Sequence, residues 1–145
     1  MKVYLKKLDS RAVLPTYGSA AAAGADLYAL CEGEICIQPS ETALVHTGIA
    51  MEIPEGYAGL IYARSGLASK RGLAPANKVG VIDADYRGEI LVGLYNHSAE
   101  VQTILPGERI AQFVVTPVLA PAFEEVDTLS DTVRADGGFG STGWA

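Results

Sequence analysis

Two stretches of this chain carry residues whose types and spacing suit chemistry on a nucleotide. The first runs Asn77-Lys78-Val79-Gly80-Val81-Ile82-Asp83-Ala84-Asp85-Tyr86-Arg87-Gly88-Glu89-Ile90. A carboxylate at a bend can take a proton from a water, and a tyrosine three residues on can stack against a sugar or a ring. Strand-like flanks on either side predict a hairpin whose backbone donors and acceptors read the edge of a base. An ordinary Asp/Gly turn with Tyr86 packed for its area is the competing reading. The second stretch is the tail, Arg134-Ala135-Asp136-Gly137-Gly138-Phe139-Gly140-Ser141-Thr142. Its glycines let N–H groups converge on phosphate oxygens, Arg134 adds charge, Ser141 and Thr142 add donors, and Phe139 offers a flat face to a base. A passive Gly/Ser terminus would look similar. A P-loop is excluded, because that motif needs a lysine and a following helix.

Three shorter clusters join them. Gly24-Ala25-Asp26-Leu27 places an acid after a run of small residues, where a turn aspartate bonding its own backbone is also possible. Ala63-Arg64-Ser65-Gly66-Leu67-Ala68 combines an arginine, a hydroxyl and a helix start, an arrangement that seats an anion. In Gly107-Glu108-Arg109-Ile110-Ala111-Gln112, Gln112 can donate its amide to a phosphate and Arg109 can hold a neighbour's carboxylate.

The elements that must position these groups are predicted to be strands. Apolar and β-branched runs recur at Val3 to Leu8, Ala25 to Leu30, Glu34 to Ile37, Ala43 to Ile53, Ala58 to Tyr62, Val79 to Ile82, Glu89 to Tyr95, Val101 to Leu105 and Ile110 to Val118. Turn signals such as Pro39-Ser40, Pro54-Glu55-Gly56 and Pro106-Gly107 bound them, which describes an all-β sandwich or barrel. One short helix is expected from Ser65 to Lys70, with Ser65 as N-cap and Gly72 as the stop. The runs near 43–50 and 89–95 are almost continuously apolar and are expected to be covered on both faces. A single small β domain has too little interior for that, so a homo-oligomer is expected.

At 145 residues the chain has the length of one domain. Its net charge of −6 argues against nucleic-acid polymers and anionic membranes as partners, since phosphate backbones are held by clustered Lys and Arg. No secretory leader or membrane span is expected. Cys31 and Cys36, with His46 and His97, are too few for a protein-built zinc site or a disulfide framework, which suits a reducing cytoplasm. Residues 1–126 are expected to form the β domain and 127–145 a Gly-rich arm.

The five clusters, in this order and at these intervals, resemble the trimeric dUTPase family from about Gly18 to Gly143. That resemblance implies a jelly-roll-like β barrel and a homotrimer, with each active site lying between subunits and closed by another chain's arm. It implies hydrolysis of dUTP to dUMP and pyrophosphate, supplying dUMP for thymidylate synthesis and keeping uracil out of DNA. By the same resemblance Asp83 activates the water that attacks the α-phosphate, and Tyr86 lies under the deoxyribose. Asn77 and the backbone of Gly80, Val81 and Ile82 read uracil, while Arg64, Ser65, Gly66 and Gln112 contact phosphates. Asp26 stands near the waters of a bound Mg²⁺, and Arg134, Phe139, Gly140, Ser141 and Thr142 form the closing arm. Two positions depart from the family pattern: Ala63 replaces a proline, and Ala135 replaces a glycine, removing a positive-φ option beside Arg134. The related dCTP deaminases carry a catalytic glutamate five residues after the glycine corresponding to Gly88. Here that position is Gly93, so deamination lacks its acid/base group. A nucleotide-binding module without turnover would have no use for both Asp83 and a full arm.

Overall fold

The computed structural model describes residues 1–138. Among them lie twelve strands: β1 (Tyr4–Lys7), β2 (Thr16–Tyr17), β3 (Ala25–Tyr28), β4 (Ile35–Ile37), β5 (Thr42–His46), β6 (Ile49–Glu52), β7 (Tyr57–Tyr62), β8 (Leu73–Pro75), β9 (Gly80–Ile82), β10 (Leu91–Asn96), β11 (Gln102–Ile104) and β12 (Arg109–Pro117). One helix, α1 (Ser65–Arg71), connects β7 to β8. The expected all-β class holds. The strands form a five-stranded sheet in the order β2-β3-β12-β7-β9, a three-stranded sheet β5-β10-β8, and the pairs β1-β6 and β11-β4. One core joins them, in which Leu27, Ile37, Val45, Ile49, Leu94 and Ile110 are fully buried.

Several local expectations are corrected. The apolar run Ala43 to Ile53 is two strands, because Gly48 takes φ 68 and turns the chain after His46. A Cβ at Gly48 would meet Leu30 and Ala12 at 2.5 and 2.9 Å, so only glycine fits this break. β5 then pairs with β10 while β6 pairs with β1. Two-sided burial of these strands is not met within the chain. β10 alternates, with Val92, Leu94 and Asn96 buried, and Leu44 on β5 is 59% exposed. The strands flanking Asp83 to Ile90 do not form a hairpin: β9 pairs with β7, and β10 lies in the other sheet. Tertiary pairing with β7 wins over local closure. Strands β2 and β8 carry no sequence expectation, being two and three residues long, with Pro75 in β8.

The helix ends where expected, with Gly72 in the left-handed region at φ 66 and its N–H bonded to the Ala68 and Leu67 carbonyls. Its start differs. Arg64, not Ser65, is the N-cap residue, in extended geometry at φ −89 and ψ 130, and no side chain caps the helix. β12, the longest strand at nine residues, carries a bulge between Arg109 and Ala111 against β3. Both Ile110 and Ala111 are therefore buried in succession. Beyond Pro117 the described chain forms no strand or helix, and Phe123 is 97% exposed.

Candidate active site

Strand register builds the first part of the site. Asp26 on β3 lies opposite Gln112 on β12, and Gln112 lies opposite Tyr62 at the end of β7. Ala63, Arg64 and α1 follow directly, so the clusters at Gly24–Leu27, Ala63–Ala68 and Gly107–Gln112 meet at one end of the sheet. They line a polar cavity of about 250 Å³ with Gly18, Ala22, Gly24, Asp26, Arg64, Ser65, Gly66, Arg109 and Gln112 on its walls. Gly24 packs closely here: a Cβ would sit 2.8 Å from Gln112 Oε1 and displace that amide.

Asp26 is the electrostatic centre of this seat, buried to 9% exposure. Arg64 Nε donates to its Oδ1 at 2.7 Å and Arg109 Nη1 to its Oδ2 at 3.3 Å. The bulge in β12 re-aims Arg109 for this contact, so its carboxylate partner is in its own chain rather than a neighbour's. Two guanidinium groups against one carboxylate leave net positive charge facing the cavity. The N–H groups of Ser65 and Gly66 precede the first intrahelical bond, which Leu67 makes to the Arg64 carbonyl at 3.1 Å. Both residues are exposed, and a Cβ at Gly66 would meet nothing within 4 Å, so an oxyanion has room to approach. Gln112 Nε2 donates to the Ala63 carbonyl at 2.8 Å. That bond ties Gln112 to the backbone where the proline is absent, and it uses one of the two donors of the amide expected for phosphate.

The Asp83 and Tyr86 loop stands elsewhere. β9 runs antiparallel to β7, with Gly80 opposite Ile61 and Ile82 opposite Gly59. Asp83 therefore continues away from the Arg64 end of β7. At about 3.3 Å per residue, the stretch from Gly59 to Arg64 spans on the order of 15 Å. Asp83 is exposed, and its carbonyl accepts the Tyr86 N–H at 3.2 Å to close a turn. The Tyr86 hydroxyl donates to the Glu89 carbonyl at 2.9 Å, and Gly88 must be glycine because a Cβ would lie 2.4 Å from that hydroxyl. Asn77, at the turn before β9, has its Nδ2 only 3.5 Å from where a Gly80 Cβ would lie, so the Asn77 amide and the Gly80 backbone share one corner. Val81 is exposed and Ile82 half-buried, which leaves this edge strand accessible.

Of the arm, Arg134 is described and exposed, its Nε bonded to the Gly137 carbonyl at 2.8 Å. Ala135 adopts φ 45, so the positive-φ geometry expected to be lost is taken by alanine, at a strain of roughly 1 kcal/mol. Phe139, Gly140, Ser141 and Thr142 lie outside the described residues. Glu89 and Arg109, which the structure ties to the two halves of the site, were not expected among the site residues. The Gly-Glu-Arg turn was the only signal for Arg109.

Among the described residues, no group of three or more His, Cys, Asp or Glu is placed to hold a metal ion. Each Asp26 oxygen accepts one guanidinium donor, and the two cations beside it disfavour direct ligation of a further cation. The residues fit a magnesium ion whose direct ligands are phosphate and water, not a protein cage.

A β scaffold with a cationic, oxyanion-sized seat at one sheet end, and an edge strand and acidic loop at the other, defines a protein that handles a small phosphorylated ligand. The dUTPase family model matches residues 10–143, and the chain belongs to the dUTPase family. It is 47% identical over 142 residues to the deoxyuridine 5'-triphosphate nucleotidohydrolase of Syntrophotalea carbinolica, covering 98% of this chain and 97% of that one. The same-named protein of a Hydrogenobaculum species is 51% identical over 143 residues, with 99% of each chain covered. Among solved structures, a mutant Staphylococcus bacteriophage 80alpha dUTPase with dUpNHpp superposes with a TM-score of 0.87 at 29% identity, over 99% of both chains. A mutant dUTPase from phage phi11 of S. aureus, described with a structural Mg(II) ion, superposes at 0.78 and 26% identity, over 88% of this chain and 98% of that one.

Proposed function

We propose that this protein is a dUTP diphosphatase, hydrolysing dUTP to dUMP and pyrophosphate by attack of water on the α-phosphate. In the cell it supplies dUMP for thymidylate synthesis and keeps uracil out of DNA. Asp83 is the general base, a role worth typically about 10² to 10⁴-fold. Tyr86 packs beneath the deoxyribose, and Asn77 with the backbone of Gly80, Val81 and Ile82 reads the uracil edge. Arg64, Ser65, Gly66 and Gln112 hold phosphate oxygens; Gln112 does so with the second N–H of the amide that is bonded to Ala63. Mg²⁺ bound to the substrate phosphates would offset their charge, with Asp26 touching only its water shell. Arg134, Phe139, Gly140, Ser141 and Thr142 close the site as an arm, residues 127–145, on a jelly-roll-like barrel domain of residues 1–126.

The observation that carries this reading is the opposed placement of base and seat along β7. Asp83 and the Arg64 seat lie toward opposite ends of β7, on the order of 15 Å apart along the strand, a separation that supports a site completed by a second copy. Exposed apolar side chains, Leu44 on β5 and Phe123 beyond β12 among them, give copies something to bury. Membership of the dUTPase family supports reading that assembly as a homotrimer with shared sites, acting in the cytoplasm. No helix among the described residues is long and apolar enough to cross a membrane. The test is pyrophosphate and dUMP release from dUTP, dTTP, dCTP and UTP with added Mg²⁺. Turnover confined essentially to dUTP is expected; no dUMP from dUTP, or ammonia from dCTP, would remove the assignment.

A further inference from the structure

We propose that Glu89 is a positioning residue for Tyr86, and through it sets how strictly the sugar is read. This rests on the assignment of Tyr86 to the deoxyribose face. Tyr86 is 42% exposed, so packing alone does not hold its ring. Its hydroxyl is bonded to the main-chain carbonyl of Glu89 at 2.9 Å, and its ring tip lies against the bare Cα of Gly88. Glu89 is in turn tied by its side chain to the turn between β5 and β6. Its Oε1 accepts the Gly48 N–H at 2.8 Å, and its Oε2 meets His46 Nδ1 at 2.9 Å. The next residue completes the joint: Ile90 N–H donates to the Ile49 carbonyl at 2.9 Å, and the Ile90 carbonyl accepts the buried Thr47 hydroxyl at 2.6 Å.

The loop carrying Asp83 and Tyr86 is thus fixed to the β5–β6 turn by the Ile90 main-chain bonds and, one residue nearer the tyrosine, by the Glu89 carboxylate. Burial pushes the Glu89 carboxyl upward, but the His46 ring and the Gly48 amide outweigh it and leave the group below its ordinary range. The space beside this joint is a cavity of about 430 Å³, larger than the phosphate seat, lined by Asp9, Arg11, Cys31, Glu32, His46 and Glu89 among others. Arg11 is already spent on Asp9 and Glu32 at 2.7 Å each.

The test compares Glu89→Ala with Glu89→Gln, using kcat and KM for dUTP and UTP. Glutamine keeps an acceptor for Gly48 and a donor for His46, so it should rescue. For Glu89→Ala, the UTP-to-dUTP ratio of kcat/KM is expected to rise on the order of tenfold, while Glu89→Gln stays near wild type. His46→Ala, which removes an exposed partner from half the brace, should shift the ratio in the same direction by a smaller factor, and it serves if Glu89→Ala does not fold. An unchanged ratio in the folded variants, whatever the loss in overall rate, overturns the proposal. A wild-type protein inactive on dUTP would instead remove the functional assignment itself.

Discussion

The phosphate seat and the Asp83 loop are built in opposite ways. The seat draws Asp26, Arg64, Arg109 and Gln112 from three segments, and its part-buried ion pairs hold it together without any ligand. The loop is one exposed segment, closed by its own turn and braced from behind by Glu89. Anion binding needs donors aimed beforehand, because reorganising charges during the reaction costs free energy. A base that receives substrate from another copy needs an open approach instead. Under the proposed function, each region has the construction its task demands.

The largest separation between the two should come from Asp83→Asn, which is expected to cut turnover by about 10² to 10⁴-fold while leaving dUTP binding within a few-fold by calorimetry. Near-wild-type turnover would remove Asp83 as base. Deleting residues 134–145 should lower hydrolysis on the order of a hundredfold and leave the oligomer mass unchanged in sedimentation. An unaffected rate would show the arm to be passive. On the seat side, Asp26→Ala leaves two guanidinium groups facing each other. It should cost about 2–3 kcal/mol in denaturant unfolding, the Arg109 partner being partly exposed.

Smallest is a pH effect on the loop brace. Because the folded Glu89 carboxyl lies below its ordinary value of 4.5, its contribution is fully present above that pH. It fades as the pH falls through the lowered value. Glu89→Gln should therefore flatten the acid limb of the stability curve and leave the neutral region little changed. An identical acid limb in both proteins would mean that the carboxylate braces nothing.

Much of the seat was legible in the sequence because its chemistry is local: Asp26 after small residues, Arg64-Ser65-Gly66 at a helix start, Gln112 entering a strand. What escaped depends on distant partners. Arg109 turns inward to Asp26 only because β12 bulges against β3, and no sequence period announces a bulge. Ser65 has the composition of a cap, yet the cap position falls on Arg64, whose side chain is drawn to Asp26. The apolar flanks of Asp83 suited a hairpin by pattern, but β9 finds β7 across the sheet. That pairing sets the spacing between base and seat. Ala135 was expected to forgo a conformation that it adopts, since roughly 1 kcal/mol of strain is small enough for the surrounding turn to impose.

The shared site is tested most directly by mixing two crippled chains. Asp83→Asn supplies an intact seat without the base, and Arg64→Ala an intact base with a damaged seat; each alone should release almost no pyrophosphate from dUTP. Co-assembled from equal amounts, the mixture should recover roughly a quarter of the wild-type rate, the chance that random assortment sets an intact seat against an intact loop. A mixture as inactive as its components would mean that base and seat serve the same chain, contradicting a site built between copies.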